Sequence, residues 1–303
     1  MRSPYRFHER SSFYKYMPLS TAEIVLQNAS LRWSSPLIFN DPFDVPREVI
    51  PDVNEHDISR ALAQKILLEL KNPRPDTSQL NSGIRYLLEF YKNYFPFGLP
   101  EELIKKQTEL ILNPPVGEGA KDALTGFRNY WDNTLRDRRI LCLSESPVIT
   151  SMWNHYADSY KGIVLEFSCI DELDSAWLLA KPVKYTDKKP LTYTAEGMAE
   201  LFFMDEEIVK NYINEDITYI KTLDWQYEKE WRVSTHKRPL QEGLYSDLTF
   251  NIHELKTIIL GPMFDMDKLP AIDELSEKYP LASVSSATIT RSGLIEIIPL
   301  TTN

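Results

Sequence analysis

The chain reads as an α+β protein: a mixed or antiparallel central sheet carries a large helical insert. Two observations predict this. Residues 57–135 follow helical periodicity almost without interruption, whereas the flanking segments are short apolar runs with strand-like alternation. Those strand-like runs recur on both sides of the helical block, so a single domain spanning 1–303 with the 57–135 segment inserted in it is the expected organisation. With 303 residues, 43% of them hydrophobic and 12% aromatic, the chain is long enough to bury a large core.

In order, Phe13-Tyr14-Lys15-Tyr16-Met17 forms the first strand, and Pro18 stops it. Ser20 and Glu23 stand at capping-box spacing ahead of a short helix through Asn28. Leu31 to Ser35 follows as a strand, and Pro36–Pro46 as a loop. Within the insert, Ile58, Leu62, Ile66 and Leu70 recur every four residues and define a helix ended at Pro73. Three further helices are marked by Ile84–Tyr91, Leu103–Ile111 and Ala120–Trp131, with Asn113-Pro114-Pro115 as the clearest breaker. Beyond it, Ile140–Ser144 is a buried strand and Met152–Tyr160 a short helix closed by Gly162. Ile163–Ser168 and Pro182–Tyr185 are strands, and Ala195–Tyr219 is a long helix. Strands at Tyr227–Arg232, Leu255–Pro262, Ser283–Ile289 and Gly293–Pro299 complete the sheet.

Composition narrows the functional classes. A net charge of −10 excludes a uniformly basic nucleic-acid surface. Arg136, Arg138 and Arg139 are the densest cationic run and suit a solvated helix C-terminus. Cys142 and Cys169 lie in apolar runs and read as buried thiols of a cytoplasmic protein. No stretch of 18 apolar residues signals a membrane span. The five histidines are scattered and CxxC and HExxH are absent, so no metal is expected. GxGxxG, the P-loop pattern and GxSxG are missing too.

The most chemically loaded segment is Tyr227-Glu228-Lys229-Glu230-Trp231-Arg232. On a strand, Glu228, Glu230 and Arg232 share a face, with the carboxylates ~7 Å apart at a rise of ~3.4 Å per residue. Two readings stand. The row is either an ion-pair ladder with Tyr227 and Trp231 buried behind it, or a carboxylate site serving a sugar hydroxyl and an oxocarbenium-like transition state. Trp153 and Tyr156 offer a stacking surface on a helix, or ordinary core, with His155 on a different side. Asn40-Asp41-Pro42-Phe43-Asp44 has good turn chemistry and also puts binding groups on a loop. Tyr14 and Tyr16 share one strand face and Lys15 takes the other, so they cannot all serve one pocket.

Together these elements resemble a bacterial family, the domain of unknown function DUF 2971. The resemblance is carried by Tyr14-Lys15-Tyr16, by Trp33-Ser34-Ser35 through Asn40-Asp41-Pro42-Phe43-Asp44, by Cys142-Leu143-Ser144-Glu145 through Met152-Trp153-Asn154-His155-Tyr156, and by Trp225 through Arg232. The order of a polar-aromatic first strand, a hydroxyl on a middle strand and a late Glu-x-Glu is similar to that of mono-ADP-ribosyltransferases. That likeness implies an ADP-ribosyltransferase-like sheet, with Glu230 catalytic, Glu228 facing the acceptor and Ser144 as the middle-strand hydroxyl. Tyr16 or Lys15 would take the place of the family's first-strand Arg or His. It further implies NAD as co-substrate, bound among Tyr14, Lys15, Tyr16, Asn40, Asp41, Phe43, Ser144, Trp153, His155, Tyr156 and Arg232. A protein or nucleic-acid acceptor and a toxin or anti-phage role with an antitoxin-like regulator also follow from it. The rival expectations are a Mg²⁺-dependent nucleotide or nucleic-acid hydrolase using Asp41, Asp44, Glu228 and Glu230, and a non-catalytic sensing module.

Overall fold

The computed structural model describes residues 2–41, 43–45, 54–112, 118–188 and 190–300. Pro42, the Asn113-Pro114-Pro115 breaker and the end of the Pro36–Pro46 loop lie outside them. In chain order the strands are β1 (Ser12–Met17), β2 (Ser30–Ser34), β3 (Arg138–Ser144), β4 (Ile163–Ser168), β5 (Lys181–Pro182), β6 (Lys184–Thr186), β7 (Ile220–Thr222), β8 (Glu230–His236), β9 (Tyr245–Thr249), β10 (Leu255–Leu260), β11 (Ser283–Ile289) and β12 (Ile295–Pro299). The helices are α1 (Leu19–Asn28), α2 (Glu55–Lys71), α3 (Ser82–Tyr94), α4 (Glu101–Leu112), α5 (Glu118–Asp137), α6 (Thr150–Tyr156), α7 (Ala195–Phe203), α8 (Glu206–Asn211) and α9 (Leu269–Ser276).

Two units are distinguishable. The first comprises 1–40, 136–185 and 221–303; the second comprises 41–135 and 186–220. The fold is therefore α+β, with strands gathered in the first unit and most of the helices in the second.

In the first unit, among the described residues, a ten-stranded sheet runs β12-β11-β10-β4-β1-β3-β2-β9, with β8 beside β3 and β5 beside β8. Among the described residues of this sheet, the β10–β11 ladder is parallel and the other ladders are antiparallel. β3 is the junction. It pairs with β8 from Arg138↔His236 to Ser144↔Glu230, with β1 at Tyr14↔Ser144 and with β2 at Ser34↔Ile140. Period-two alternation gives the sheet two different faces. One packs Phe13, Met17, Leu141, Leu143, Leu165, Phe167, Val233 and Ile258 with α1 and α9. The other packs Tyr16, Val164 and Ile259 against Trp153 and Ala157 at α6. Cross-strand register places Glu166, Tyr14, Ser144 and Glu230 in one row across β4, β1, β3 and β8.

In the second unit, α2 packs against α3, α4 and α7, and Lys65 pairs with Glu200 between α2 and α7. All four helices expected between 57 and 135 are present.

Four local expectations need correction. α1 begins at Leu19 behind Pro18 with no side-chain cap, so Ser20 and Glu23 form no capping box. The expected long helix from Ala195 breaks at Met204, where Asp205 caps a new helix through Glu207 N. α6 stops at Tyr156, and Asp158, Ser159 and Tyr160 all adopt left-handed φ of 46°, 51° and 72°. Gly162 follows that turn, where a Cβ would lie 2.3 Å from the Met17 carbonyl oxygen. Finally, β8 starts at Glu230: Leu223–Glu228 is a 3₁₀ segment ended by Lys229 in the left-handed region.

Candidate functional site

The change at Lys229 decides the geometry of the acidic pair. Glu228 reaches the other carboxylate from a 3₁₀ turn, whereas Glu230 and Arg232 point from β8 to the face that also carries Ser144 and Cys142. The three charged residues are buried, with Glu228 2%, Glu230 5% and Arg232 0% exposed. Tyr227 and Trp231, expected as the buried face, are the half-exposed ones.

Lys221 joins the two carboxylates. Its Nζ lies 2.6 Å from Glu228 Oε2 and 3.1 Å from Glu230 Oε2, and its side chain is itself buried. Arg232 grips Glu230 in a fork, Nε donating to Oε1 at 2.8 Å and Nη2 to Oε2 at 3.0 Å. Tyr156 donates its hydroxyl to Glu228 Oε1 at 2.6 Å. Tyr185 accepts the Glu230 amide at 2.8 Å, and Ser144 donates to the Glu228 carbonyl at 2.8 Å. Two cations thus balance two carboxylates where an unpaired charge would cost several kcal/mol.

The same contacts separate the two acids. Burial pushes the Glu228 carboxyl up, and the neighbouring Glu230 charge adds to the rise against the pull of Lys221. Burial would also raise Glu230, but Arg232 and Lys221 outweigh it and hold that carboxyl well below its usual range. Burial, then the Glu228 charge, pushes the Tyr156 phenol up, so it remains a donor. The pair therefore consists of one carboxyl held low by its cations and one pushed up by burial.

The other expected residues divide plainly. Trp153 is fully buried, donates Nε1 to the Pro147 carbonyl at 2.7 Å and meets Tyr16 edge-on at 5.3 Å. It is core and offers no stacking surface. Tyr16 is buried and donates to the Ser146 carbonyl at 2.8 Å. Tyr14 donates to Glu166 at 3.3 Å, and Lys15 to the Cys142 carbonyl at 2.7 Å from the opposite face. His155 is exposed beside the Tyr227 hydroxyl at 3.0 Å, on the rim of the cluster. Asn40 is exposed at the end of its segment. Asp41, Phe43 and Asp44 belong to the second unit; Asp41 Oδ1 accepts the Phe43 amide at 2.8 Å, and Phe43 is 71% exposed. Among the described residues no group of three or more His, Cys, Asp or Glu is placed to hold a metal ion.

Lys221 and Tyr185 were missed. The only trace of Lys221 is a lone cation among apolar neighbours in Tyr219-Ile220-Lys221, and nothing in the sequence pairs it with Glu230. The arginine run also differs from expectation. Arg138 and Arg139 are buried on β3, and Arg139 donates to Ser246 Oγ at 2.9 Å and to the Gly243 carbonyl at 2.7 Å. They form no exposed basic patch.

Among the described residues no helix is long and apolar enough to cross a membrane. No curated protein and no solved structure matches the chain. The Tyr14–Tyr16, Asn40–Asp44 and Cys142–Glu145 motifs lie outside the one stretch that a family description matches. That stretch, residues 152–233, matches the family described as Protein of unknown function (DUF2971), and it holds every residue of the acidic cluster except Ser144.

Proposed function

We infer that the protein is an ADP-ribosyltransferase-like enzyme that splits NAD at its nicotinamide ribose and modifies a macromolecular acceptor. The observation that carries this reading is the register row in which a first-strand polar aromatic, a middle-strand hydroxyl and the second Glu of Glu-x-Glu lie side by side, as Tyr14, Ser144 and Glu230. Tyr14, rather than Tyr16 or Lys15, occupies the first-strand position. The split between the two carboxyls adds support. Cleavage at an anomeric carbon calls for a fixed anion against developing positive charge, the role of Glu230. Activation of the acceptor calls for a group that takes up a proton, the role of Glu228.

The test incubates the purified chain and its Glu230→Gln variant with adenylate-labelled NAD and cell lysate, scoring transfer per folded molecule. Glu230-dependent label on protein or nucleic acid establishes the reading and names the acceptor class. Absence of both NAD binding and transfer overturns it.

A second reading is favoured by one observation: both Glu230 oxygens are already held by Arg232 and Lys221. A cluster satisfied this completely also serves as a structural core for a sensing or interaction module. In that case Glu230→Gln alters stability alone.

A further inference from the structure

The break between α7 and α8 opens a cavity in the second unit. Met204 leaves the helix in extended backbone, φ −78° and ψ 157°, and Asp205 caps α8 at the Glu207 amide. Backbone bonds pin the corner, from Asn81 N to the Phe203 carbonyl at 2.9 Å and from Asp205 N to the Gln79 carbonyl at 2.8 Å. After α8 the helix widens into a π turn at Tyr212–Asp216, a rare conformation that is frequent at functional sites. Between this corner and α5 lies a cavity of about 250 Å³.

Its wall is apolar and open to solvent. Phe127, Phe202, Met204 and Val209 line it half-buried, and Tyr130, also in the lining, is 44% exposed. The rim is charged. Glu206 and Lys210 are exposed, line the same cavity and stand four residues apart on α8, so they share a helix face with Val209. Lys210 Nζ donates to Glu207 Oε1 at 2.7 Å, an exposed pair of the kind that contributes little and is readily exchanged. An anion and a cation thus stand one helical turn apart beside an apolar wall. A cavity of about 150 Å³ holds a benzene molecule, so this one has room for a phenyl ring and a short stem.

We propose that the cavity binds a free hydrophobic α-amino acid of about the size of phenylalanine. The side chain covers the apolar wall, the ammonium faces Glu206, and the carboxylate takes Lys210 from Glu207. A ligand with one charge leaves one of the two rim groups unmatched. The volume falls below the roughly 300–1,000 Å³ usual for drug-sized ligands, so a nucleotide is excluded by size.

The test is calorimetric titration of the whole chain with L-phenylalanine, with its amide, which lacks the carboxylate, with hydrocinnamate, which lacks the amine, and with L-alanine. Phenylalanine binds saturably, the amide and hydrocinnamate each about threefold more weakly or worse, and alanine not at all. Lys210→Met abolishes the preference for phenylalanine over its amide, and Glu206→Gln the preference over hydrocinnamate. Both side chains are exposed, so neither variant changes Tm appreciably. Val209→Trp fills the cavity and abolishes binding, with cooperative thermal unfolding as the check that it folds. No saturable binding of phenylalanine, equal affinity for phenylalanine, its amide and hydrocinnamate, preferences unchanged in the Lys210 and Glu206 variants, or undiminished binding by folded Val209→Trp overturns the proposal.

Discussion

Glu228 and Glu230 sit two positions apart and meet the same ammonium group, yet they behave as opposites. Glu230 is ionised by a bidentate Arg232 and by Lys221; Glu228 has Lys221 and a phenol donor. Glu230→Gln leaves the fully buried Arg232 without its counter-charge, so it should cost about 3–5 kcal/mol in urea unfolding. Glu228→Gln removes a charge that burial already disfavours, and should cost less than about 2 kcal/mol. The pH dependence differs in sign as well. A carboxyl depressed below its ordinary value of 4.5 stabilises the fold above that pH, and the contribution is lost as pH falls through its folded pKa. Unfolding of the Glu230→Gln variant should therefore be less acid-sensitive below pH 4.5 than that of the wild type. Glu228 is raised from 4.5, so its contribution is present below that value and fades as pH rises through the folded pKa. Relative to wild type, Glu228→Gln should gain stability as pH climbs above 4.5, measured as the difference in urea midpoint.

At the scale of elements, the turn after α6 stores strain in a place that positions the site. Three successive non-glycine residues, Asp158, Ser159 and Tyr160, hold left-handed backbone, each costing an L-residue roughly 1–2 kcal/mol. The turn is kept by backbone bonds from Tyr160 N to the Trp153 carbonyl and from Met263 N to the Tyr160 carbonyl, which tie α6 to the loop after β10. Tyr156, the Glu228 donor, is the last helical residue before it. Ser159→Gly should raise the unfolding free energy by about 1 kcal/mol without moving α6, readable as a higher Tm. Gly162→Ala should do the reverse and severely, by roughly 3 kcal/mol or more, because the added carbon meets backbone at Met17 and Ala157 rather than a movable side chain. Lys221 works across elements too. Lys221→Met leaves two buried carboxylates facing one remaining guanidinium, and should destabilise the fold more than Glu228→Gln does, by the same urea measurement.

Over the whole molecule the charges inside the acidic cluster balance, while those of the chain as a whole do not. The acidic cluster pairs two cations with two carboxylates, so the excess of 44 acidic over 34 basic residues acts mainly on the outside. Raising ionic strength from ~0.02 to ~0.2 M, which shortens the Debye length below about 10 Å, should increase Tm by screening that repulsion. A fall in Tm would instead mean that exposed ion pairs such as Arg32–Asp247 dominate. The strand order that brings the cluster together joins β1, β3 and β8 from distant parts of the chain, with the second unit's 41–135 segment between β2 and β3.

The sequence by itself determined most of the element types, the α+β class, the helical block and the shared face of Glu230 and Arg232. Those follow from short-range periodicity and from proline and glycine punctuation. Its errors were also local in kind. A period-two reading of Tyr227–Arg232 overlooked Lys229 in the left-handed region, which ends the 3₁₀ turn and lets Glu228 approach Glu230 from outside the strand. Tryptophan and arginine were placed by chemistry at a surface, whereas Trp153 and Arg139 found partners in the backbone and went inside. Only the tertiary structure decided that Lys221 would bridge the acids, that Tyr14 rather than Tyr16 would align with Ser144, and which carboxyl would be held low and which pushed up. Register and burial depend on contacts between residues far apart in the chain, and protonation depends in turn on burial and on those contacts.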